Sequence, residues 1–303
     1  MKGKDGLTRR GFLTRATAGG ALALGLSAAG RRVAADDTAS PYQIGCYTRP
    51  WGNQEYRVAL DAIAEAGYRY VGLMSTVGGL VITHETSLEE AAAVGEACKE
   101  RNLLAPSAYG GNIPVAESLE AGIAAMRRLI DNCAAAGVAD LLMGGTGDAE
   151  LQGPYYKAIA ETCDYGVEKN VSISVKPHGG LNATGAECRD IVNEVGHDNF
   201  RIWYDPGNIF FYSDAELDPV DDAPDVDGLV VGMCVKDYKH PRNVDVTPGT
   251  GMVDFPAVLR RLKAGGFTGG PLVVETLARG DVKETIQEAI KAREFLEEIV
   301  AEL

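Results

Sequence analysis

Histidine and tryptophan are scarce in this chain of 303 residues, which contains four His and two Trp. No two of its six cysteines form a Cys-x-x-Cys pair, so a zinc-ribbon or thioredoxin-like motif is excluded. No Gly-x-Gly-x-x-Gly follows the first predicted strand and no Gly-Lys-Ser/Thr loop occurs, so we expect no organic cofactor. The net charge of −14 argues against a nucleic-acid-binding face.

The cysteine spacing gives no disulfide framework. Four of the cysteines fall in predicted helices, where a buried thiol acts as a small apolar residue. We therefore expect mostly free thiols at the six positions, which are Cys46, Cys98, Cys133, Cys163, Cys188 and Cys234.

Positive charge is concentrated at the N-terminus. Residues 1–35 carry a net charge of +6 and the remainder carries −20. Two adjacent arginines in segment 8–13 precede a charge-free run rich in Ala, Gly and Leu over 16–30, and residues 33–35 offer small side chains for cleavage. This order is typical of a secretory signal, and the paired arginines resemble the twin-arginine type. We expect residues 1–35 to direct export to the periplasm or outside the cell, without stable membrane insertion after cleavage. An N-terminal helix and an uncleaved anchor are the alternatives.

Residues 42–303 repeat a short β-rich run, turn residues and an amphipathic helix. Such alternation implies parallel strands with right-handed crossovers, and eight units predict a single-domain α/β (β/α)8 TIM barrel. An open doubly wound sheet is the alternative. Residues 214–227 are acidic and interrupted by proline, which predicts a loop or short turn. The predicted strands are 43–47, 70–74, 104–109, 140–143, 171–176, 201–205, 230–235 and 271–275, and the predicted helices are 54–66, 87–101, 116–136, 154–169, 184–195, 254–264 and 282–301.

Polar and aromatic side chains stand where these strands end. The active site of a TIM barrel forms at the C-terminal ends of its strands, so these side chains are the candidates for binding and chemistry. In chain order they are Tyr47, Trp51, Tyr109, Lys176, His178, Asp205, Asn208, Cys234, Lys236 and Glu275.

Four segments lie in order on successive units: YDPGN at 204–208, CVKD at 234–237, PGTGMVDF at 248–255 and VVE at 273–275. Because of these four segments and their order, residues 42–303 resemble the sugar phosphate isomerase/epimerase family, the xylose isomerase-like TIM barrels. The resemblance implies a sugar substrate and proton abstraction next to a carbonyl, through an enediolate. Such chemistry needs a base and a positive centre for the developing oxyanion.

Members of that family hold a divalent metal, often Mn²⁺, Co²⁺, Mg²⁺ or Zn²⁺, with Glu, Asp, His and Glu from strands 5 to 8. Asp205 and Glu275 match this set, whereas Lys176 and Cys234 replace the other two ligands. Lys176 has the charge to sit between the two carboxylates in place of an ion. The other hypothesis is a metal shifted onto His178, Asp205, Cys234 and Glu275, a donor set that suits Zn²⁺ better than Mg²⁺.

The resemblance implies Glu275 as the base, with Lys176, His178 or a metal as the electrophile. The positions of Tyr47, Trp51, Tyr109, Asn208 and Lys236 at the strand ends predict that they contact the substrate. We therefore predict an isomerase or epimerase of a small, unphosphorylated carbohydrate, and leave homo-oligomerisation open. The alternatives are a metal-independent lyase or hydratase centred on Lys176, and a non-catalytic carbohydrate-binding barrel.

The same residues also have structural interpretations. Asp205 precedes Pro-Gly and suits a turn that it would hydrogen-bond itself. Lys236 and Asp237 suit an ion pair at the barrel rim. His178 suits a loop and Cys234 a packed thiol, while Trp51 and Tyr109 either stack on a sugar or plug the barrel.

Overall fold

The computed structural model describes residues 40–303. The predicted export signal, residues 1–35, therefore lies outside the described residues. Among the described helices, none combines the length and apolar character needed to cross a membrane.

Eight parallel strands close into a barrel in the order β1-β8-β7-β6-β5-β4-β3-β2. β1 closes the ring because it pairs with β8 on one side and β2 on the other, with Gly45 opposite both Val273 and Tyr70. The predicted single-domain (β/α)8 TIM barrel is confirmed. The strands are β1 Tyr42–Tyr47, β2 Tyr70–Leu73, β3 Leu104–Tyr109, β4 Asp140–Met143, β5 Ser172–Val175, β6 Phe200–Tyr204, β7 Val230–Val235 and β8 Gly270–Val274.

Helices surround the barrel and follow the predicted pattern with three departures. The ten helices of the described chain are α1 Tyr56–Glu65, α2 Leu88–Glu100, α3 Leu119–Ala136, α4 Ala149–Ala160, α5 Cys163–Lys169, α6 Gly185–Val195, α7 Pro206–Tyr212, α8 Pro219–Asp222, α9 Phe255–Ala264 and α10 Val282–Ala301. Short 3₁₀ turns lie at Arg49–Trp51 and Ala223–Val226, and a two-stranded hairpin of Ser75–Thr76 and Gly79–Leu80 follows β2.

The first departure is a break in the helix predicted over 154–169. The Thr162 hydroxyl donates to the carbonyls of Ala158 and Ile159 at 3.0 and 2.9 Å, and the chain restarts as α5. The second is α7, which the sequence did not predict; Asp205 caps it by accepting from Asn208 N, with Pro206 at its first position. The third is the short α8 within 214–227, where a loop or short turn was predicted.

The barrel interior is filled by two large rings that face two glycines. Tyr47 and Trp203 are fully buried, with ring centroids 6.3 Å apart. A Cβ on Gly72 would lie 2.1 Å from the Tyr47 ring, and one on Gly232 would lie 2.5 Å from the Trp203 ring. The two glycines therefore make room for the rings, and Tyr47 donates to or accepts from Ser107 Oγ at 3.0 Å.

At the N-terminal end of the barrel lies one buried carboxyl group, that of Asp140 at the start of β4. Its oxygens accept from Ser172 Oγ at 2.7 Å and from Ser174 Oγ at 2.5 Å, both on β5. All six cysteines are buried and free, which confirms the expectation of free thiols.

Candidate active site

The C-terminal ends of four adjacent strands deliver charged side chains to one point. Lys176 follows β5, Asp205 follows β6, Lys236 follows β7 and Glu275 follows β8. Side chains alternate across a strand, so Lys176 continues the inward-facing row of Ser172 and Ser174. The four charged residues are between 0% and 2% exposed, so their charges depend on one another rather than on water.

Lys176 Nζ lies between the two carboxylates. It is 3.1 Å from Asp205 Oδ2 and 2.5 Å from Glu275 Oε2, and the Cys234 sulfur lies 3.8 Å away. Lys236 Nζ bridges the same carboxylates on the other side, 3.0 Å from Asp205 Oδ2 and 2.8 Å from Glu275 Oε1. The two ammonium groups thus form a closed network with the two carboxylates.

One further side chain, that of Arg49, completes this cation–carboxylate centre, which we define as Arg49, Lys176, Asp205, Lys236 and Glu275. The Arg49 guanidinium, 36% exposed, contacts Glu275 Oε1. Asn208 supports the centre from outside, because its Oδ1 accepts from Lys236 Nζ and its backbone N–H donates to Asp205 Oδ1. Three cations face two carboxylates, so the centre has a net charge of +1.

The neighbours decide the protonation states. Burial alone would raise the pKa of Glu275, but Lys176, Lys236 and Arg49 hold it well below its usual range. Burial alone would lower the pKa of Lys176, yet the carboxylates of Glu275 and Asp205 beside it raise that pKa well above its usual value. Burial raises the pKa of the Cys234 thiol well above its usual value, so it is uncharged at neutral pH.

The centre opens to solvent through the barrel mouth. A cavity of about 170 Å³ is lined by Arg49, Tyr109, Lys176, His178 and Glu275, together with the hairpin. A larger cavity of about 550 Å³ shares Arg49, the hairpin and Glu275 with it. A small carbohydrate can therefore reach Lys176 and Glu275 from outside.

His178 stands on the rim of this mouth as an exposed residue. Its ring lies between those of Tyr109 and Tyr212, at centroid distances of 6.0 and 6.2 Å. The surrounding protein and the charges of Lys176 and Lys236 lower the pKa of His178, so its imidazole is neutral at physiological pH.

The structure brings some of the sequence candidates together and leaves others apart. Tyr109, Lys176, His178 and Glu275 share the mouth cavity. Asp205, Cys234, Lys236 and Asn208 lie directly behind it, at the contacts given above. Tyr47 and Trp51 are 0% and 1% exposed, line neither mouth cavity and pack in the protein interior.

The rim ion pair between Lys236 and Asp237 was a wrong interpretation. Adjacent residues at a strand end point to opposite sides, so Lys236 turns inward to Asp205 and Glu275. Asp237 turns outward and accepts the backbone N–H groups of Gly249, Gly251 and Val253 at 3.0, 2.7 and 3.1 Å, which fixes the segment at 248–253.

Arg49 was not among the sequence candidates, although it joins the centre. It lies two residues after β1, at the end of the barrel where the other candidates were sought, so its place near a strand end was a usable signal. What the sequence did not show is that the 3₁₀ turn Arg49–Trp51 directs the guanidinium to Glu275 across the barrel seam.

Asp205, Cys234 and Glu275 form a group whose ligand atoms lie within 4.8 Å of one another and could hold a metal ion. His178, a member of the shifted ligand set, is not part of this group. As folded, the group does not fit a divalent ion, because cations already occupy three of its four carboxylate oxygens and the fourth, Asp205 Oδ1, accepts the Asn208 backbone N–H. Lys176 and Lys236 share Asp205 Oδ2, Lys176 takes Glu275 Oε2, and Lys236 and Arg49 take Glu275 Oε1.

A family model described as Xylose isomerase-like TIM barrel matches residues 60–299. The chain therefore belongs to the xylose isomerase-like TIM barrel family. A comparison with curated protein sequences finds no match.

Solved structures share the fold at low sequence identity. A xylose isomerase-like TIM barrel protein from Mycobacterium smegmatis in complex with magnesium superposes with a TM-score of 0.69 and 14% identity, over 86% of this chain and 98% of that one. D-allulose 3-epimerase from Methylomonas sp. in complex with D-allulose gives 0.67 and 18%, over 86% and 98%. D-psicose 3-epimerase from Clostridium cellulolyticum H10 with D-tagatose gives 0.67 and 15%, over 85% and 99%. At this identity the likeness shows the fold alone.

Proposed function

We propose that the protein is a sugar isomerase or epimerase, which moves a proton next to the carbonyl of a small carbohydrate at the barrel mouth. The observation that carries the proposal is the contact of the Glu275 carboxylate with the Lys176 ammonium at the floor of an open cavity. The reaction needs a base beside the carbon and a positive charge beside the carbonyl oxygen. The fold is that of epimerases whose solved structures contain D-allulose and D-tagatose, which supports a ketose substrate.

Lys176 supplies the positive charge in this proposal, with Arg49 beside it. The N–H groups of Arg49 donate to the carbonyl oxygen, and the charge of the nearby Lys176 ammonium stabilises the negative charge that develops as the proton leaves. Burial makes this stabilisation stronger than in water. The raised pKa of Lys176 keeps it protonated. A protonated amine is not a nucleophile, which argues against a Schiff-base lyase.

Glu275 is the proposed base. Three cations hold its pKa down in the resting centre, which makes it a weak base there. Arg49 is the one cation of the three that is partly exposed, so a substrate oxygen can draw it away from Glu275. Loss of that contact raises the basicity of Glu275 when the substrate carbon is beside it.

His178 is the proposed second proton-transfer group. It follows β5, whereas Glu275 follows β8, so the two groups face the mouth from different sides of the ring. A neutral imidazole accepts a proton or returns one. Epimerisation requires a proton-transfer group on each face of the reacting carbon, which Glu275 and His178 would supply. Isomerisation in which one base removes and returns the proton requires only Glu275.

Solvent exchange tests the proposal. The wild-type protein is incubated in D₂O with D-psicose, D-tagatose, D-fructose or L-ribulose, and deuterium at the carbon next to the carbonyl is measured by mass spectrometry. We expect exchange with at least one ketose and a loss of about 10²–10⁴-fold in Glu275→Gln, the usual range for a catalytic proton-transfer group. Glu298→Gln, at an exposed site on α10, is the matched control.

A non-catalytic carbohydrate-binding barrel is the second candidate, and the depressed pKa of Glu275 favours it. It predicts saturable binding of a ketose by calorimetry without deuterium incorporation, and equal affinity in Glu275→Gln. A wild-type protein that neither exchanges nor binds any ketose of the panel contradicts both candidates.

We also propose that residues 1–35 direct export by the twin-arginine route, on the residue pattern given above. Cell fractionation of the full chain tests this. The wild-type protein should be found outside the cytoplasm, and the double substitution Arg9→Lys and Arg10→Lys should retain it inside. Equal export of both forms would exclude the twin-arginine route.

A further inference from the structure

The three side chains that could hold a metal ion already surround a cation that belongs to the chain. Asp205 Oδ2, Glu275 Oε2 and Cys234 Sγ lie 3.1, 2.5 and 3.8 Å from Lys176 Nζ. An ammonium group carries three N–H donors and no acceptor. Its three donors meet three acceptors, so the amine is matched to the group that encloses it.

The distances match hydrogen bonds and not metal coordination. Oxygen ligands bind Zn²⁺ at about 2.0–2.2 Å and thiolate sulfur at about 2.3 Å. The ligand atoms here spread up to 4.8 Å from one another around an amine nitrogen at hydrogen-bond range. The backbone of Lys176 is also fixed, because its carbonyl accepts from Asn182 Nδ2 at 2.8 Å.

The net charge of the centre also argues against a bound divalent ion. The native centre has a net charge of +1, from Arg49, Lys176 and Lys236 against two carboxylates. A divalent ion added to it would raise the net charge to +3 among side chains that, apart from Arg49, are buried, which is costly without new anions. A divalent ion in place of Lys176, with Cys234 as thiolate, keeps the net charge at +1.

We propose that the Lys176 ammonium occupies the position of a divalent cation among Asp205, Cys234 and Glu275, so that the native chain carries its own cation there and binds no metal at this point. The inference rests on the proposed function only for the use of that charge in catalysis. It further implies that removal of the amine uncovers a Zn²⁺ site with two carboxylate ligands and one thiolate.

Metal binding, measured without any substrate, tests this inference. Wild type, Lys176→Ala and Lys176→Arg are incubated with Zn²⁺ and dialysed, and bound zinc is measured by elemental mass spectrometry. We expect no stoichiometric zinc in the wild type or in Lys176→Arg, which keeps a cation, and about one equivalent in Lys176→Ala. The additional substitution Cys234→Ser or Asp205→Asn should remove most of that zinc.

Cobalt gives a spectroscopic measurement of the same site. Co²⁺ added to Lys176→Ala should produce a sulfur-to-cobalt charge-transfer band that Lys176→Ala with Cys234→Ser lacks. A band of equal intensity in both variants would overturn the assignment of Cys234 as the uncovered ligand.

The wild-type measurement requires no variant to fold. One equivalent of zinc in wild type that disappears in Asp205→Asn overturns the inference, because a metal would then displace the amine. Folded Lys176→Ala without zinc also overturns it. Lys176→Ala that folds only with Zn²⁺ supports it, and Lys176→Ala that stays unfolded with Zn²⁺ contradicts it. All of these results are independent of deuterium exchange, so the proposed function stands or fails separately.

Discussion

The two ends of the barrel interior bury carboxyl groups in opposite ways. At the mouth, Glu275 and Asp205 are bound by two lysines, and the cations hold the pKa of Glu275 well below its usual range. At the N-terminal end, Asp140 has only the hydroxyls of Ser172 and Ser174, and burial raises its pKa to about 7.

The contrast shows that neighbours, and not burial, decide which carboxyl group stays charged. A carboxyl group with hydroxyl partners becomes neutral at modest acidity, whereas one enclosed by ammonium groups stays ionised. The barrel therefore holds a carboxylate ionised through mild acid at the end that the cavity reaches, which is the end where proton transfer is proposed.

The largest effect on deuterium exchange is expected for a substitution at the barrel mouth, where the carboxylates are charged, that leaves the N-terminal end of the barrel unchanged. Glu275→Gln should lower deuterium exchange by about 10²–10⁴-fold, because the amide cannot accept the proton. Asp140→Asn, at the opposite end, should leave exchange near the wild-type rate. Measured rates of deuterium exchange in D₂O compare the two variants. An equal loss of exchange in Glu275→Gln and Asp140→Asn would contradict a functional difference between the two ends of the barrel.

The second effect concerns stability. Lys176→Met removes one partner of a buried ion pair and leaves the buried Glu275 Oε2 without its ammonium partner, which costs about 3–5 kcal/mol in the free energy of unfolding. Lys239→Met, at an exposed lysine in the connection that follows β7, should change it by less than about 0.5 kcal/mol. Urea unfolding of both variants measures this. A Lys176→Met protein as stable as wild type would show that the ionic centre adds no stability.

The third effect is a pH dependence from Asp140. Its pKa in the folded protein, about 7, is raised above the value of about 3.9 in an unfolded chain. Its stabilising contribution is therefore complete below about pH 4 and is lost as the pH rises through about 7. Wild type should lose at most about 4 kcal/mol relative to Asp140→Asn between pH 4 and pH 8, a limit set by 1.36 kcal/mol for each pKa unit.

Unfolding curves of wild type and Asp140→Asn at pH 4, 6 and 8 measure that difference. The stabilities should diverge toward pH 8 in favour of the variant. A difference that is constant over this range would mean that Asp140 does not titrate there.

The smallest effect should come from Arg49, the partly exposed member of the centre. Arg49→Ala should lower kcat/KM for ketose exchange by about tenfold, or 1.4 kcal/mol, because Lys176 still faces the carbonyl oxygen. Arg49→Lys should recover part of this loss. Steady-state kinetics over a range of ketose concentrations measure it, and an unchanged kcat/KM in Arg49→Ala would place Arg49 outside the reaction.

The repeating pattern of the sequence was sufficient to predict the barrel. Each predicted strand overlaps an observed one, because period-two burial and helix caps are local signals. Ser87 and Thr184, for example, form the capping boxes that their spacing predicts. Strand ends differ by one residue at Lys176, Asp205 and Glu275, which were predicted as the last strand residues and directly follow the observed strands.

The site was predictable only in part. Lys176 between Asp205 and Glu275 follows from charge and strand position, and the structure shows these contacts. The depth of Tyr47 in the barrel could not be predicted from the sequence. The alternation of side chains along a strand predicts which face of the strand a residue lies on, but not how far it lies from the barrel mouth. The contacts of Arg49 and Lys236 depend on long side chains that cross between strands, and no local pattern encodes them.

The most direct test of the account is deuterium exchange by the wild-type protein in chelator-treated buffer. The ammonium of Lys176 is the proposed electrophile, so exchange into a ketose should proceed at the same rate with and without EDTA and should be lost in Lys176→Met. Exchange that stops in EDTA and returns with added Mn²⁺ or Zn²⁺ would contradict the account.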